Sequence, residues 1–360
     1  MTRRPIPPII ATGMPRCGFS GVTVLVVGDL MLDRYVFGDV RRISPEAPVP
    51  VLTMTGEKAA AGGAANVALN VAGLRARAHV FGVVGQDAAA SRLIEVLSAR
   101  GVDTTGVVVD SARPSTCKTR VMCGTHQIVR LDQESTHEIP DHPRQQLLDR
   151  FWAAVRHHAV NAVILSDYAK GVLSAGLTRS VIEGCAAREI PVFVDPKKSS
   201  YSLYRQATCI TPNLSEFHGA LPALGIPEGD VAWSAGRLRE ALQCPLLLIT
   251  QGADGMTLIS RNGGLHLPAL VQEVFDVSGA GDTVIATMAA AIGYGLEPAH
   301  AAGLANIAAS LVVQKLGTAP VEWQELEALL PQGTVQDEMG SSIGAFAADL
   351  PTATSDQKPV

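Results

Sequence analysis

The chain has 360 residues, a formal net charge of -5, 47% hydrophobic residues and 18% charged residues. That is enough apolar material for a large core and excludes global disorder. With an acidic balance and only 4% aromatics, nothing indicates a polyanion-binding face or a base-stacking platform, so no nucleic-acid partner is expected. The six cysteines (Cys17, Cys117, Cys123, Cys185, Cys209 and Cys244) include no C-x-x-C pair, which points to reduced thiols and a cytoplasmic setting.

Residues 1–20 mix Pro, Arg and Gly and read as a disordered N-terminal segment. Arg3-Arg4 is followed by prolines instead of an apolar run, so no secretion signal is expected. Residues 22–27 form a continuous apolar β run ending at Gly28-Asp29, the pattern of a central parallel strand. Residues 35–54 are β-rich and carry Pro45, Pro48 and Pro50. A helix is predicted over 64–74, a strand over 79–84 and a helix with an acidic start over 87–99. Residues 115–131 read as two strands around Gly124. A strand over 162–165, a helix over 173–188 and strands over 192–194 and 246–249 follow. His157-His158 lies on a surface helix without a metal-ligand partner. The most apolar stretch, 283–313, is broken by Gly293, Gly295, Glu297, Pro298 and His300, so two buried helices are expected and no membrane span. After Pro331 the composition turns to Gly, Ser, Asp and Pro, and 332–360 reads as a disordered tail.

Strands alternating with helices imply an α/β fold with a doubly wound, mostly parallel sheet, here one domain over 21–331. The two β-rich stretches, about 34–56 and 114–132, interrupt that alternation. They are expected to form a small antiparallel lid over the site edge, with an apolar face left for a partner chain.

Two motifs carry chemistry. Asp276-Val-Ser-Gly-Ala-Gly-Asp-Thr283 precedes an apolar helix. Gly279, Ala280 and Gly281 let a ligand approach the unpaired amides of a helix N-terminus, where the dipole favours an anion. Asp282 can take a proton from an attacking hydroxyl while those amides hold developing charge. The plain alternative is a capped helix start. Ala61-Gly-Gly-Ala-Ala-Asn-Val-Ala68 pairs Gly62 and Gly63 with Asn66, which offers a donor and an acceptor to a polyol.

Together these motifs resemble the two signatures of the ribokinase-like carbohydrate kinases, over about residues 22–325. The resemblance implies a three-layer α/β/α sandwich with a β lid, an anion hole at 279–281 and Asp282 as catalytic base. Val277 and Ser278 stand where the family pattern often has Thr. Thr211-Pro-Asn-Leu-Ser-Glu-Phe217 resembles the family's Asn-x-x-Glu element. It would place Asn213 and Glu216 at the nucleotide, with Glu216 holding Mg²⁺ through water, although both residues also suit a helix capping box. Thr250, Gly252 and Gly255 match the strand-turn lining the nucleotide site. The implied cofactor is Mg²⁺ with ATP, and a monovalent cation is left open.

A narrower resemblance, to the D-glycero-beta-D-manno-heptose 7-phosphate kinases, lies in Gly28-Asp-Leu-Met-Leu-Asp-Arg-Tyr35, Arg42-Ile-Ser-Pro-Glu-Ala-Pro-Val-Pro-Val51, Ser166-Asp-Tyr-Ala-Lys-Gly171 and Val194-Asp-Pro-Lys197. It implies phosphorylation of that sugar phosphate at O1, in ADP-heptose synthesis for lipopolysaccharide core. No His-x-Gly-His motif is present, so a kinase without a nucleotidyltransferase domain is expected. Lys118, Arg120 and Arg130 on the lid and Lys170 after a strand end are candidates to grip the 7-phosphate. Asp29 and Asp195, also at strand ends, are candidates for sugar hydroxyls; Lys197, Arg34 and Arg42 are further basic candidates. The expected partners are heptose 7-phosphate, ATP and a second copy docked through the lid. A kinase for another sugar and, in a different class, a non-catalytic sugar-phosphate or nucleotide sensor are the alternatives.

Overall fold

The computed structural model describes residues 15–330 apart from 16, 198, 199, 271–273 and 316. The tail expected over 332–360 and most of the N-terminal segment lie outside the described residues. In chain order the elements begin with strands β1 (Thr23–Gly28), β2 (Leu30–Ile43) and β3 (Pro50–Gly63), helix α1 (Ala64–Gly73), β4 (Arg77–Val84), α2 (Ala88–Ser98) and β5 (Asp103–Val109). The middle holds β6 (Thr116–Cys123), β7 (His126–Gln133), α3 (Asp141–His157), β8 (Ala162–Ser166), α4 (Ala175–Ala186), β9 (Val192–Asp195), β10 (Cys209–Ile210), α5 (Leu214–Ala220) and α6 (Val231–Leu242). The last part holds β11 (Leu246–Thr250), β12 (Met256–Ser260), β13 (Gly263–Leu267), α7 (Ala280–Tyr294), α8 (Pro298–Val312) and α9 (Trp323–Glu327).

Nine strands form one sheet in the order β13-β12-β11-β10-β9-β8-β1-β4-β5. All pairs from β5 to β11 are parallel, and β12 and β13 add an antiparallel edge. Strand alternation divides the core. Val24, Val26 and Ile164 pack with α1, α2, α7 and α8 on one face, while Leu25, Val27 and Leu165 pack with α3, α4 and α6 on the other. The result is the three-layer α/β/α sandwich of a ribokinase-like fold. From β1 the chain winds outward to β4 and β5, and from β8 it winds the other way to β9. The carboxyl ends of β1 and β8, at Gly28 and Ser166, therefore flank the switch-point crevice where α/β sheets bind ligands.

The lid is a second, four-stranded sheet in the order β3-β2-β6-β7. Its strands are longer than expected, and its central pair, β2 with β6, is parallel, so the sheet is mixed and not antiparallel throughout. The cause is topological: β2 leaves the core directly after β1, while β6 returns from β5 by a separate crossing. The N-terminal boundary also differs from expectation. Phe19 is fully buried, with its ring edge-on to Trp323 and Tyr294, and its N–H donates to Leu74 O at 3.0 Å. One aromatic in a Pro/Gly-rich stretch has no periodicity to reveal that docking.

Candidate active site

Helix α7 starts at a corner that only glycine fits. Gly279 has φ 82°, and a Cβ there would lie 2.8 Å from Asn66 Nδ2. Asp276 braces the corner: one carboxylate oxygen accepts the Ser278 N–H at 2.8 Å and the other the Gly317 N–H at 3.0 Å. Partial burial pushes its carboxyl up, but these bonds win and hold it below the usual carboxylate range. The Ala280 N–H closes a turn onto Val277 O at 3.2 Å. It is thus committed to the chain's own carbonyl, a narrower hole than the sequence implied. The N–H groups of Gly279, Gly281 and Asp282 have no acceptor among the described residues, and a Cβ on Gly281 would meet nothing within 4 Å. Unpaired amides at a helix N-terminus, facing open space, have the chemistry to accept an anion.

Asp282 lies one turn inside this corner with 2% of its surface exposed. Its Oδ2 accepts Asn66 Nδ2–H at 2.7 Å, and its Oδ1 accepts the Tyr168 hydroxyl at 2.7 Å. Burial, aided by the Asp33 carboxylate, outweighs the two donors and leaves the carboxyl pushed up to about 6. The group is therefore ionised at neutral pH yet basic enough to accept a proton. Asn66 is held by α1 and, one turn on, Asn70. The Asn70 side-chain amide donates to Asn66 O at 2.9 Å, and its Oδ1 accepts Thr283 Oγ1–H and Val321 N–H, each at 2.9 Å. The paired glycines have separate reasons. A Cβ on Gly62 would come within 2.5 Å of Asp33 Oδ2, and Gly63, with φ 56°, caps α1 where a Cβ would strike Asp29 O at 2.4 Å.

Asp29 sits at the crevice as expected, but its oxygens are already in use. Oδ2 accepts the Tyr168 and Lys170 N–H groups at 2.8 and 3.0 Å, and Oδ1 accepts Val172 N–H at 3.1 Å. The residue is 1% exposed, and burial raises its carboxyl despite those amides. It clamps the loop after β8 through both of its oxygens. Asp195, at the end of β9, is raised well above its ordinary value by burial, with Asp282 and Glu216 adding repulsion.

On the lid, the pleat and register put Asp33 and Tyr35 of β2, Lys118 and Arg120 of β6, and Arg130 and Asp132 of β7 on one face. That face looks into the crevice, since the Asp33 charge reaches Asp282 and a Cβ on Gly317 would lie 3.0 Å from the Tyr35 hydroxyl. Three of the four expected phosphate-gripping cations are paired. Arg120 bonds Asp33 at 2.5 Å and lies over the Tyr35 ring, Arg130 bonds Asp132 at 2.9 Å on its own strand, and Lys170 bonds Glu134 at 2.7 Å. Lys118 has no ion-pair partner among the described residues. Arg34 pairs with Glu57 at 2.7 Å on the opposite lid face.

At the far end of the crevice, Asn213 and Glu216 form the capping box of α5, with reciprocal bonds at 2.9 and 3.0 Å. The second Glu216 oxygen accepts Lys197 Nζ–H at 2.9 Å, a bond that raises the lysine. Thr250 ends β11 and bridges Asn213. Gly252 and Gly255 have φ 60° and 92°, and a Cβ on Gly255 would lie 2.1 Å from Leu267 O, so the turn into β12 requires glycine there. The sequence reading assigned no role to Tyr168, Asp33 or Asn70. The signal for Tyr168 was its place two residues past a central strand end.

Residues 23–325 match the family model described as pfkB family carbohydrate kinase. The chain is 46% identical over 310 residues to the bifunctional protein HldE of Methylobacillus flagellatus, covering 86% of this chain and 63% of that protein. It is 48% identical over 323 residues to the bifunctional protein HldE of Halorhodospira halophila, covering 89% of this chain and 65% of that protein. The chain thus spans just under two thirds of the length of these relatives. Similar solved structures include Arabidopsis thaliana ribokinase complexed with ribose and ATP, at TM-score 0.65 and 20% identity, covering 86% of this chain and 98% of that one. Escherichia coli phosphofructokinase-2 aligns at TM-score 0.69 and 15% identity, covering 86% and 98%. At those identities the structures speak for the fold, and the family rests on the sequence match. A buried carboxylate beside open helix-terminal amides, on this sandwich and under this lid, belongs to a carbohydrate kinase of the pfkB family.

Proposed function

We propose that the chain transfers the γ-phosphoryl group of ATP to O1 of D-glycero-beta-D-manno-heptose 7-phosphate, giving the 1,7-bisphosphate and ADP, as a step toward ADP-heptose and lipopolysaccharide core. The observation that carries the kinase reading is Asp282, fixed by Asn66 and Tyr168 beside the open amides of Gly279, Gly281 and Asp282. Asp282 takes the proton of the anomeric hydroxyl as its oxygen attacks the γ-phosphorus in line, and the amides stabilise charge on the transferring group. The heptose reading draws support from the β1–β2 segment, the loop after β8 and the segment ending β9, which resemble the heptose 7-phosphate kinases. Asp33, whose Oδ1 is held by Arg120, offers its other buried oxygen to sugar hydroxyls, and Lys118, without an ion-pair partner among the described residues, is the lid cation left to take the 7-phosphate.

Glu216 suits a hydrated Mg²⁺ held through water. Both of its oxygens are engaged, by Lys197 and by the Asn213 N–H, so it reaches an ion only through the ion's water shell. When bound with ATP, Mg²⁺ neutralises charge on the phosphates. A second copy of the chain is the partner proposed for the lid, and a cytoplasmic location is proposed with it from the unpaired pattern of the cysteines.

ADP release measured with heptose 7-phosphate, fructose phosphates and ribose tests the reading. Preference for heptose 7-phosphate by kcat/KM is expected. Preference for another sugar reassigns the substrate, and nucleotide binding without ADP release on any of them removes the enzyme reading.

A further inference from the structure

The loop after β8 is held from every side, yet the Asp282 chemistry so far uses only one of its atoms. Asp29 accepts three of its backbone N–H groups, from Tyr168, Lys170 and Val172. Arg113 donates to Lys170 O at 2.7 Å, and Ile139 N–H donates to Gly171 O at 3.0 Å. The Asp167 carboxylate accepts the Ala169 N–H at 2.8 Å and the Tyr204 hydroxyl at 2.7 Å. The backbone is bent to match. Ala169 has φ 56°, which a residue with a Cβ adopts only at a cost, and a Cβ on Gly171 would lie 1.9 Å from His137 O. A strained turn persists only where its surroundings over-determine it. The single side chain this turn aims at the reacting carboxylate is Tyr168, whose hydroxyl donates to Asp282 Oδ1 at 2.7 Å.

We propose that Tyr168 is a positioning residue for phosphoryl transfer: its hydroxyl, presented by the braced turn, orients Asp282 and keeps that carboxylate ionised at working pH. The inference rests on the reading of Asp282 as the base. Each Asp282 oxygen accepts one strong donor, Tyr168 or Asn66, and keeps a lone pair for the incoming proton. The charged group facing it is the carboxylate of Asp33 on β2, which favours the protonated form; the titratable Asp195 at the end of β9 also faces it and is itself raised well above its ordinary value by burial and by Asp282. The turn contributes the opposing donor, as α1 does through Asn66. The Tyr168 hydroxyl is itself raised well above its ordinary value by burial and by these carboxylates, so it stays protonated and serves only as a donor.

The experiment is the pH profile of kcat/KM for Tyr168→Phe, which keeps the ring and removes the donor. Loss of a hydrogen bond to the charged form raises a carboxyl, so the acid limb is expected to move up by roughly one pH unit. The activity deficit should then be about twofold at pH 7, nearer tenfold at pH 5.5, and gone on the alkaline plateau. Replacing Tyr168 by 3-fluorotyrosine, a stronger donor of nearly the same shape, is expected to move the limb the other way. A limb that stays in place in both variants, with activity retained or lowered evenly at every pH, overturns the proposal. A second readout needs no sugar: the ¹³C carboxyl resonance of Asp282, assigned by its loss in Asp282→Asn, is titrated in both variants. If that resonance shifts as expected while no sugar is phosphorylated, the hold of Tyr168 on the Asp282 carboxylate stands, and the kinase reading falls together with the role in phosphoryl transfer. If it does not shift, the positioning role falls whatever the sugar assays show.

Discussion

Asp282 combines two properties that pull against each other. A carboxylate raised to about 6 by burial is a useful base, but keeping it ionised in a folded chain at neutral pH opposes folding. Against the ordinary value of 3.8 the difference corresponds to a destabilisation on the order of 3 kcal/mol. The sign is that of a raised carboxyl: its stabilising contribution is complete below about pH 4 and is lost as pH rises through about 6. Asp282→Asn, which keeps the shape and can still meet Asn66 and Tyr168, is expected to raise stability at pH 7 by about 1–3 kcal/mol. That gain should shrink at pH 5, as chemical denaturation at the two values would show. The same variant is expected to bind nucleotide while losing about 10²-fold or more in turnover, and near-wild-type turnover would remove the base assignment. In the unaltered enzyme, kcat/KM should fall below about pH 6 as Asp282 protonates. Asp282 and Asn66 were legible in the sequence because each lies in a glycine-marked motif. Tyr168 and Asp33 were not, because an ordinary Tyr and Asp in a loop and a strand acquire meaning only from what the fold puts opposite them.

The start of α7 separates backbone strain from ligand access, since its two glycines are glycine for different reasons. Gly279→Ala places a side chain at φ 82° and against Asn66, and is expected to destabilise by about 1–3 kcal/mol. Gly281→Ala enters open space in the first turn of a helix, so stability should hold or rise by up to about 1 kcal/mol. Turnover should nevertheless drop at least about tenfold, because the methyl group occupies the space in front of the free amides. Denaturant midpoints and turnover measured on both variants check the contrast, and a fully active Gly281→Ala would sink the anion-hole assignment. The long apolar strands and the helices at α1, α2, α4, α7 and α8 fall where the hydrophobic period puts them, within a few residues. Short β10 and the antiparallel hairpin of β12 and β13 were not anticipated, since two buried residues and a small edge pair carry little pattern.

Over the whole molecule, the lid presents two unlike faces. The charged face with Asp33, Lys118 and Arg120 turns to the crevice, while Val129 and Leu131 of edge strand β7 stand 45% and 58% exposed on the other. Exposed apolar side chains on a strand at the sheet edge suit a second copy of the same surface. Val129→Lys combined with Leu131→Lys is expected to give a monomer by light scattering with the fold intact. A wild-type chain that is already monomeric at assay concentration would argue against the lid as a dimer surface.

Local pattern was sufficient for the doubly wound sheet, the two β insertions and the glycine corner leading to Asp282, because strand and helix periods and the steric demands of glycine act over a few residues. It could not say which carboxylates are free. Asp29 looked like a sugar ligand and became the clamp of a loop, Lys170 and Arg120 looked like phosphate ligands and found acidic partners, and Tyr168 emerged against the base. Those outcomes depend on pairings across 36 to 143 positions of chain, and only the packed sheet and lid bring such residues within hydrogen-bonding distance.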